Sequence, residues 1–307
     1  MKTFVRAGIL LIVCALLITG CKPLVDEVPS EYTVYASFYP VYALSEMILD
    51  GIPGMKLRVL AQPQDGCLRL YALSDWDAYL LSASADAVIL CGGGLEAFSD
   101  ALYGMGENGP AVIQACDSLV LKNGGEGEDH FSGPNPWLFL SLDGAAQMTE
   151  AICANMIALD SLYERQYLEN LDAAEERLAR LKSDMKTVLD ECDKSVKVAL
   201  AHEGLTYFAD EWNLNAVAVL RRESGEMASG DELNEMLAQM EEGGARHVIL
   251  EKQAPAELVR AFEDAGIVVI PFDTLSTGTE ALGADGYFSA MSENARRVRD
   301  GLLTLPN

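Results

Sequence analysis

SLYERQYLENLDAAEERLARLKSDMKTVLDEC, residues 161–192, decides the architecture. Leu168, Leu171, Ala174, Leu178, Leu181, Met185 and Val188 recur every three or four residues, which puts them on one stripe of a helix. Glu, Arg, Lys and Asp fill the other faces. Ser161 followed by Glu164 has the spacing of a capping box at the helix start. A helix of about 28 residues is roughly 42 Å long, the length of a whole lobe rather than of a local crossover. Another helical stretch precedes it from Asp143, and the two meet near Asp160.

On either side of this segment, strand and helix patterns alternate. Upstream, strands over residues 32–38, 56–61 and 87–90 alternate with helices over 40–49, from near Leu73, and over 95–102. Downstream, strands over 197–201, 216–220, 247–250 and 267–271 alternate with helices over 205–212, 231–242, 255–265 and 287–303. Such alternation produces parallel strands with helical crossovers. The expected fold is α/β: two parallel-sheet lobes, residues 32–160 and 193–307, joined by a single long bridging helix, 161–192. Gly92-Gly93-Gly94 is a bare glycine run at a strand–helix junction and reads as backbone freedom for a tight turn. Residues 124–136 (GGEGEDHFSGPNP) read as an acidic loop.

Half of the 307 residues are hydrophobic, enough to bury a core, and the formal net charge is −25. Such a surface repels nucleic acid and anionic lipid and attracts cations diffusely. The chain starts with Lys2 and Arg6, then an apolar run over 7–18 that ends in Leu17-Ile18-Thr19-Gly20-Cys21. The run falls short of the roughly 20 residues that a bilayer span needs, and its pattern is that of a cleavable export signal. It looks like a bacterial lipoprotein signal. On that reading residues 1–20 are removed, Cys21 is lipidated, and 21–31 form a tether. Two acyl chains hold stably where one is marginal, so the chain faces outward and meets the membrane only through its lipid. Of seven cysteines, five lie beyond Cys21: Cys67, Cys91, Cys116, Cys153 and Cys192. An odd count without a CxxC pair argues against a disulfide scaffold or zinc ribbon. Cys91, Cys116 and Cys153 read as buried small hydrophobes, and Cys192 as structural.

Several local motifs occur in a specific order. They are Ser37-Phe38-Tyr39-Pro40, Tyr71-x-Leu73 with Asp77, Gly94-Leu95-Glu96-Ala97-Phe98 and Pro134-Asn135-Pro136-Trp137-Leu138, followed by His202-Glu203-Gly204-Leu205-Thr206-Tyr207-Phe208, Glu223, Glu251 and Phe272-Asp273-Thr274-Leu275. This ordered set resembles the zinc/manganese family of ABC-transporter solute-binding lipoproteins, with the TroA-like fold, over nearly the whole chain beyond the signal. The resemblance implies a transported Zn²⁺ or Mn²⁺ held between lobes by three histidines and a carboxylate. It also implies a monomer that delivers cargo to an ABC permease with a cytoplasmic ATPase, and no enzymatic activity. Carried over residue by residue, one histidine falls on His202 and the carboxylate on Asp273. The other two histidine positions hold Arg69 and Asn135. An arginine stays protonated and an asparagine offers a neutral carbonyl oxygen, so neither is an effective transition-metal ligand.

Three explanations stay open. Cys67 and His130 could replace the missing ligands, giving a Cys/His/His/Asp set that suits zinc. Alternatively, Arg69, Asn135, His202 and Asp273 could hold an anionic or chelated solute by charge-assisted hydrogen bonds. Or the fold has lost tight binding. Glu203 and Glu251 are candidates to orient His202 or are surface groups, and His247 reads as structural. Enzyme motifs are missing: there is no nucleophile elbow, P-loop or HExxH.

Overall fold

The computed structural model describes residues 31–62, 69–124, 133–222 and 226–305. Short runs rich in Val, Ile, Leu and Ala form its first sheet: β1 (Tyr32–Ala36), β2 (Met55–Val59), β3 (Ala87–Leu90) and β4 (Ala111–Gln114). The order is β2-β1-β3-β4 and every pairing is parallel. β3 is buried at each position, as a central strand covered on both faces must be. Helices α1 (Tyr39–Leu49), α2 (Asp75–Ser84) and α3 (Ser99–Tyr103) lie along the crossovers. β4 has no counterpart among the strands expected from sequence. The helix expected over 95–102 is a series of turns leading into the shorter α3, with Leu95 and Phe98 buried.

Two long helices follow, α4 (Leu142–Leu159) and α5 (Glu164–Leu189). The Ser161/Glu164 capping box does not form. Ser161–Tyr163 is a 3₁₀ turn, and the residue preceding α5 is Tyr163, which makes no side-chain cap. The turn takes Ser161 out of capping register. Complete capping boxes occur at Ser74/Asp77 and Ser229/Glu232. The buried stripe of α5 is Tyr167, Ala174, Leu178, Leu181, Met185 and Leu189. Leu168, expected on that stripe, is 44% exposed, because Tyr167 is fully buried in its stead and donates its hydroxyl to Asp160 at 3.1 Å. Each fully buried leucine here contributes about 1.5–3 kcal/mol.

The second sheet repeats the topology of the first. β5 (Lys197–Leu200), β6 (Asn215–Val219), β7 (His247–Glu251) and β8 (Val268–Phe272) lie in the order β6-β5-β7-β8, again all parallel. Helices α6 (Leu205–Glu211), α7 (Gly230–Gly243) and α8 (Ala256–Asp264) alternate with its strands. The last helix, α9 (Gly283–Leu303), packs against α1, α5 and β8 and so ties the two sheets together. Tyr39 donates to the Gly283 carbonyl at 2.9 Å, Tyr287 to the Phe139 carbonyl at 2.9 Å, and Glu46 accepts from the Ala284 N–H. One hydrophobic cluster runs from the first sheet past α5 to Val198, Leu200, Ile249 and Phe272 of the second. A smaller cluster fills the other face of the second sheet. Among the described residues, no helix is long and apolar enough to cross a membrane.

Candidate ligand site between the lobes

In each sheet the strand order reverses at the first strand, between β1 and β3 and between β5 and β7. Crevices beyond the strand ends at such points are the usual ligand positions of open parallel sheets. On the first sheet, Gly92, Gly93 and Gly94 all have positive φ. A Cβ on Gly93 would lie 2.6 Å from Leu121, so this tight turn requires glycine. The buried Glu96 carboxylate fastens it, accepting from the Cys91 N–H (2.6 Å), the Gly92 N–H (3.0 Å) and the Ser37 hydroxyl (2.7 Å). Burial raises the Glu96 pKa, and these donors oppose the shift.

On the second sheet, His202 and Glu203 follow β5, and Glu251 closes β7. His202 is buried, and its Nδ1 accepts the Gly204 N–H at 3.0 Å. The neutral ring therefore carries its proton on Nε2. The Trp137 indole packs edge-on to it, ring centres 4.5 Å apart. Burial holds the His202 pKa at about 4. Glu251 opposes this shift, and Arg222 and Arg69 reinforce it. The imidazole is thus neutral at pH 7, as a metal ligand must be. In metal-bound histidines the second ring nitrogen normally donates, whereas Nδ1 here accepts.

Arg69 reaches across the cleft and pairs with Glu203, Nη2 to Oε1 2.7 Å, with side chains 10% and 2% exposed. Asn135, also buried, donates from Nδ2 to the Glu203 carbonyl at 3.0 Å and to the Thr206 hydroxyl at 3.3 Å, while its Oδ1 accepts the Trp137 N–H. Arg69, Asn135 and the His202–Glu203 turn are therefore brought together. Asp273, past β8, lies apart in its bonding: it pairs with Lys252, and its Oδ1 accepts the Leu275 N–H at 2.8 Å. That turn holds Leu275 at φ 67, a strained backbone of the kind found at functional sites.

Glu203 and Glu251 are not surface groups. Each is buried against an arginine, Glu203 against Arg69 and Glu251 against Arg222 at 2.7 Å. Sequence reasoning passed over Arg222, although Arg221-Arg222 just beyond the end of β6 is a charged doublet where ligand-facing groups collect. Two guanidinium groups and two carboxylates leave the cluster formally neutral. Among the described residues, no group of three or more His, Cys, Asp or Glu is placed to hold a metal. Cys21, Cys67, His130 and Glu223 lie outside the described residues. A cavity of about 290 Å³ adjoins the cluster, lined by Lys122, Asn135, Glu203, Thr206, Asp210 and Arg221 among others. His247 is structural: its Nε2 lies 3.0 Å from the Thr304 carbonyl, tying down the end of α9.

A family model described as the zinc-uptake complex component A, periplasmic, matches residues 34–301. The chain belongs to this family. Its members are the periplasmic substrate-binding components of ABC metal importers; they bind and do not catalyse. The metal ABC transporter substrate-binding lipoprotein FimA of Streptococcus parasanguinis is 20% identical over 195 residues, and the match spans 62% of either chain. Among solved structures, the binding protein FpvC of Pseudomonas aeruginosa in complex with Mn²⁺ is 20% identical with a TM-score of 0.77, over 89% of this chain and 99% of that one. A Zn(II)-bound mutant variant of AdcAII from Streptococcus pneumoniae is 16% identical with a TM-score of 0.75, again over 89% and 99%. These likenesses carry the two-lobe α/β fold of the family.

Proposed function

We propose that this chain is the lipid-anchored, extracytoplasmic capture component of an ABC importer, with a transition metal ion, zinc or manganese, as its cargo. It acts as a monomer held by the lipid on Cys21, and it hands the ion to a permease driven by a cytoplasmic ATPase. Lobes 32–160 and 193–307 are joined by the bridging segment 161–192, whose long helix limits their motion on capture to small adjustments. The observation that carries this reading is the convergence of Arg69, Asn135 and His202 at one cleft, at the positions where the family's metal ligands fall. His202 and Asp273 are the proposed ligands retained, with Cys67 and His130 in place of the two lost histidines. A thiolate, two imidazoles and a carboxylate suit Zn²⁺ well. Loading requires the His202 ring to release the Gly204 N–H so that its proton can move from Nε2 to Nδ1, and Asp273 to release Lys252.

Two features favour a second reading, an anionic or chelated solute in the same cleft. They are the Arg69 guanidinium at a ligand position and the Nε2–H of His202, both donors. Elemental analysis of protein purified without chelator, beside His202→Ala, separates the two. Near-stoichiometric zinc or manganese that is lost in the variant supports metal capture. No metal in either protein, even after incubation with both ions, refutes it and turns the search to anionic and chelated solutes.

A further inference from the structure

Cys91 directly follows β3 and Cys116 lies just beyond β4, and the backbone links them, the Cys116 N–H donating to the Cys91 carbonyl at 2.9 Å. Their sulfurs lie 3.9 Å apart and both side chains are buried. Leu90 faces Gln114 across the two strands, so Cys116 lies one residue beyond the position opposite Cys91. About 4.8 Å between strands and about 3.3 Å along one combine to roughly 5.8 Å, inside the roughly 4.4–6.8 Å between Cα atoms that a disulfide spans. Bringing the sulfurs to the bonded distance of about 2.05 Å is therefore within reach of side-chain rotation. The buried Cys153 thiol also donates to a carbonyl, that of Tyr167 at 3.6 Å, so it is the sulfur–sulfur contact that sets Cys91 and Cys116 apart. We propose that Cys91 and Cys116 are a disulfide-forming pair, closed as the chain folds in an oxidising medium. That the medium is met outside the cytoplasm rests on the function proposed above; the pairing itself does not.

The oxidant is a disulfide-bearing thiol oxidant. One cysteine thiolate attacks the oxidant's S–S bond, giving a mixed disulfide and releasing one oxidant thiolate. The other cysteine thiolate attacks the chain sulfur of the mixed disulfide, forming the Cys91–Cys116 bond and releasing the second. The chain's sulfurs are oxidised, the oxidant is reduced to two thiols, and the two cysteine protons end on them. Timing follows from burial. In the folded chain the hydrogen bond to Cys116 and desolvation hold the Cys91 thiol well above the usual range, so exchange precedes closure of the core. Closure also reaches the cleft. The Cys91 thiol donates to the Pro136 carbonyl at 3.1 Å, and Pro136 sits between Asn135 and Trp137. Oxidation removes that donor.

The test uses the full-length protein extracted in detergent from the producing cells, denatured and alkylated without reductant, then digested and weighed. A second sample of the same protein is reduced, unfolded and refolded with glutathione disulfide before alkylation. The expected result in both is one linked peptide species joining Cys91 to Cys116, lighter by two hydrogens than its parts, with Cys153 and Cys192 alkylated. Full alkylation of Cys91 and Cys116 after refolding, or linkage of either to another cysteine, overturns the pairing. Linkage after refolding with free thiols in the cell extract upholds the pairing and counts against the outward placement.

Discussion

His202 governs how the cleft responds to pH. Its ring is held neutral with a pKa of about 4 by burial, whereas an unfolded chain protonates it near 6.5. Between those values the unfolded state takes up a proton that the folded state refuses. Stability is therefore unaffected above pH 6.5 and falls as the pH drops toward 4, by roughly 3 kcal/mol if the whole shift is expressed. Urea midpoints at pH 7.5 and 4.5 should differ more for the natural chain than for His202→Gln; equal differences would sink this assignment. Glu251 and Arg222 make the second test at this scale. With both side chains buried, Glu251→Gln removes the carboxylate charge that faces the Arg222 guanidinium and should cost about 3–5 kcal/mol, while Glu251→Gln with Arg222→Met should recover much of it. Chemical denaturation checks both. The sequence marked His202 and Glu203 through the motif that follows β5. It did not reveal their partners, because an ion pair such as Arg69–Glu203, 134 residues apart in the chain, is made by topology and leaves no local pattern.

Among elements, α9 against α1 is the contact that holds the lobes in register. A Cβ on Gly286 would lie 2.1 Å from the Tyr39 hydroxyl, and one on Gly278 would lie 1.9 Å from its ring. Gly286→Ala improves intrinsic helix propensity by about 1 kcal/mol, yet overpacking should outweigh this and lower stability by about 1–3 kcal/mol. Adding Tyr39→Phe removes the clashing oxygen and should restore part of the loss. A denaturation midpoint that rises in the single variant would contradict the close approach. The same elements show what was legible. β3 and the strands of the second sheet stand out as apolar runs between turn signals, and the break near Asp160 separates α4 from α5. β4 (Ala111–Gln114) was not picked out from the sequence, and its strand identity comes from pairing with β3. Ser161 and Glu164 carry the letters of a capping box, but the 3₁₀ turn, not the letters, sets where α5 begins.

For the whole molecule, the continuous core through both sheets and the α9 ties restrict hinge motion. Solution scattering with and without bound cargo should show only small adjustments; a closure of many ångströms would rule out this stiffness. The net charge of −25 draws cations toward the protein, so capture rates should fall as salt is raised, as stopped-flow mixing at two ionic strengths would register. Family and fold are legible because they are written in ordered motifs spread along the chain. The cargo is less so, because two of the four family ligand positions hold Arg69 and Asn135. The most direct measurement is calorimetric titration of zinc and then manganese into chelator-stripped protein, beside His202→Ala. One ion bound per natural chain, with binding abolished in the variant, is the predicted result. No uptake by the natural chain, or equal uptake by His202→Ala, would contradict metal capture at this cleft.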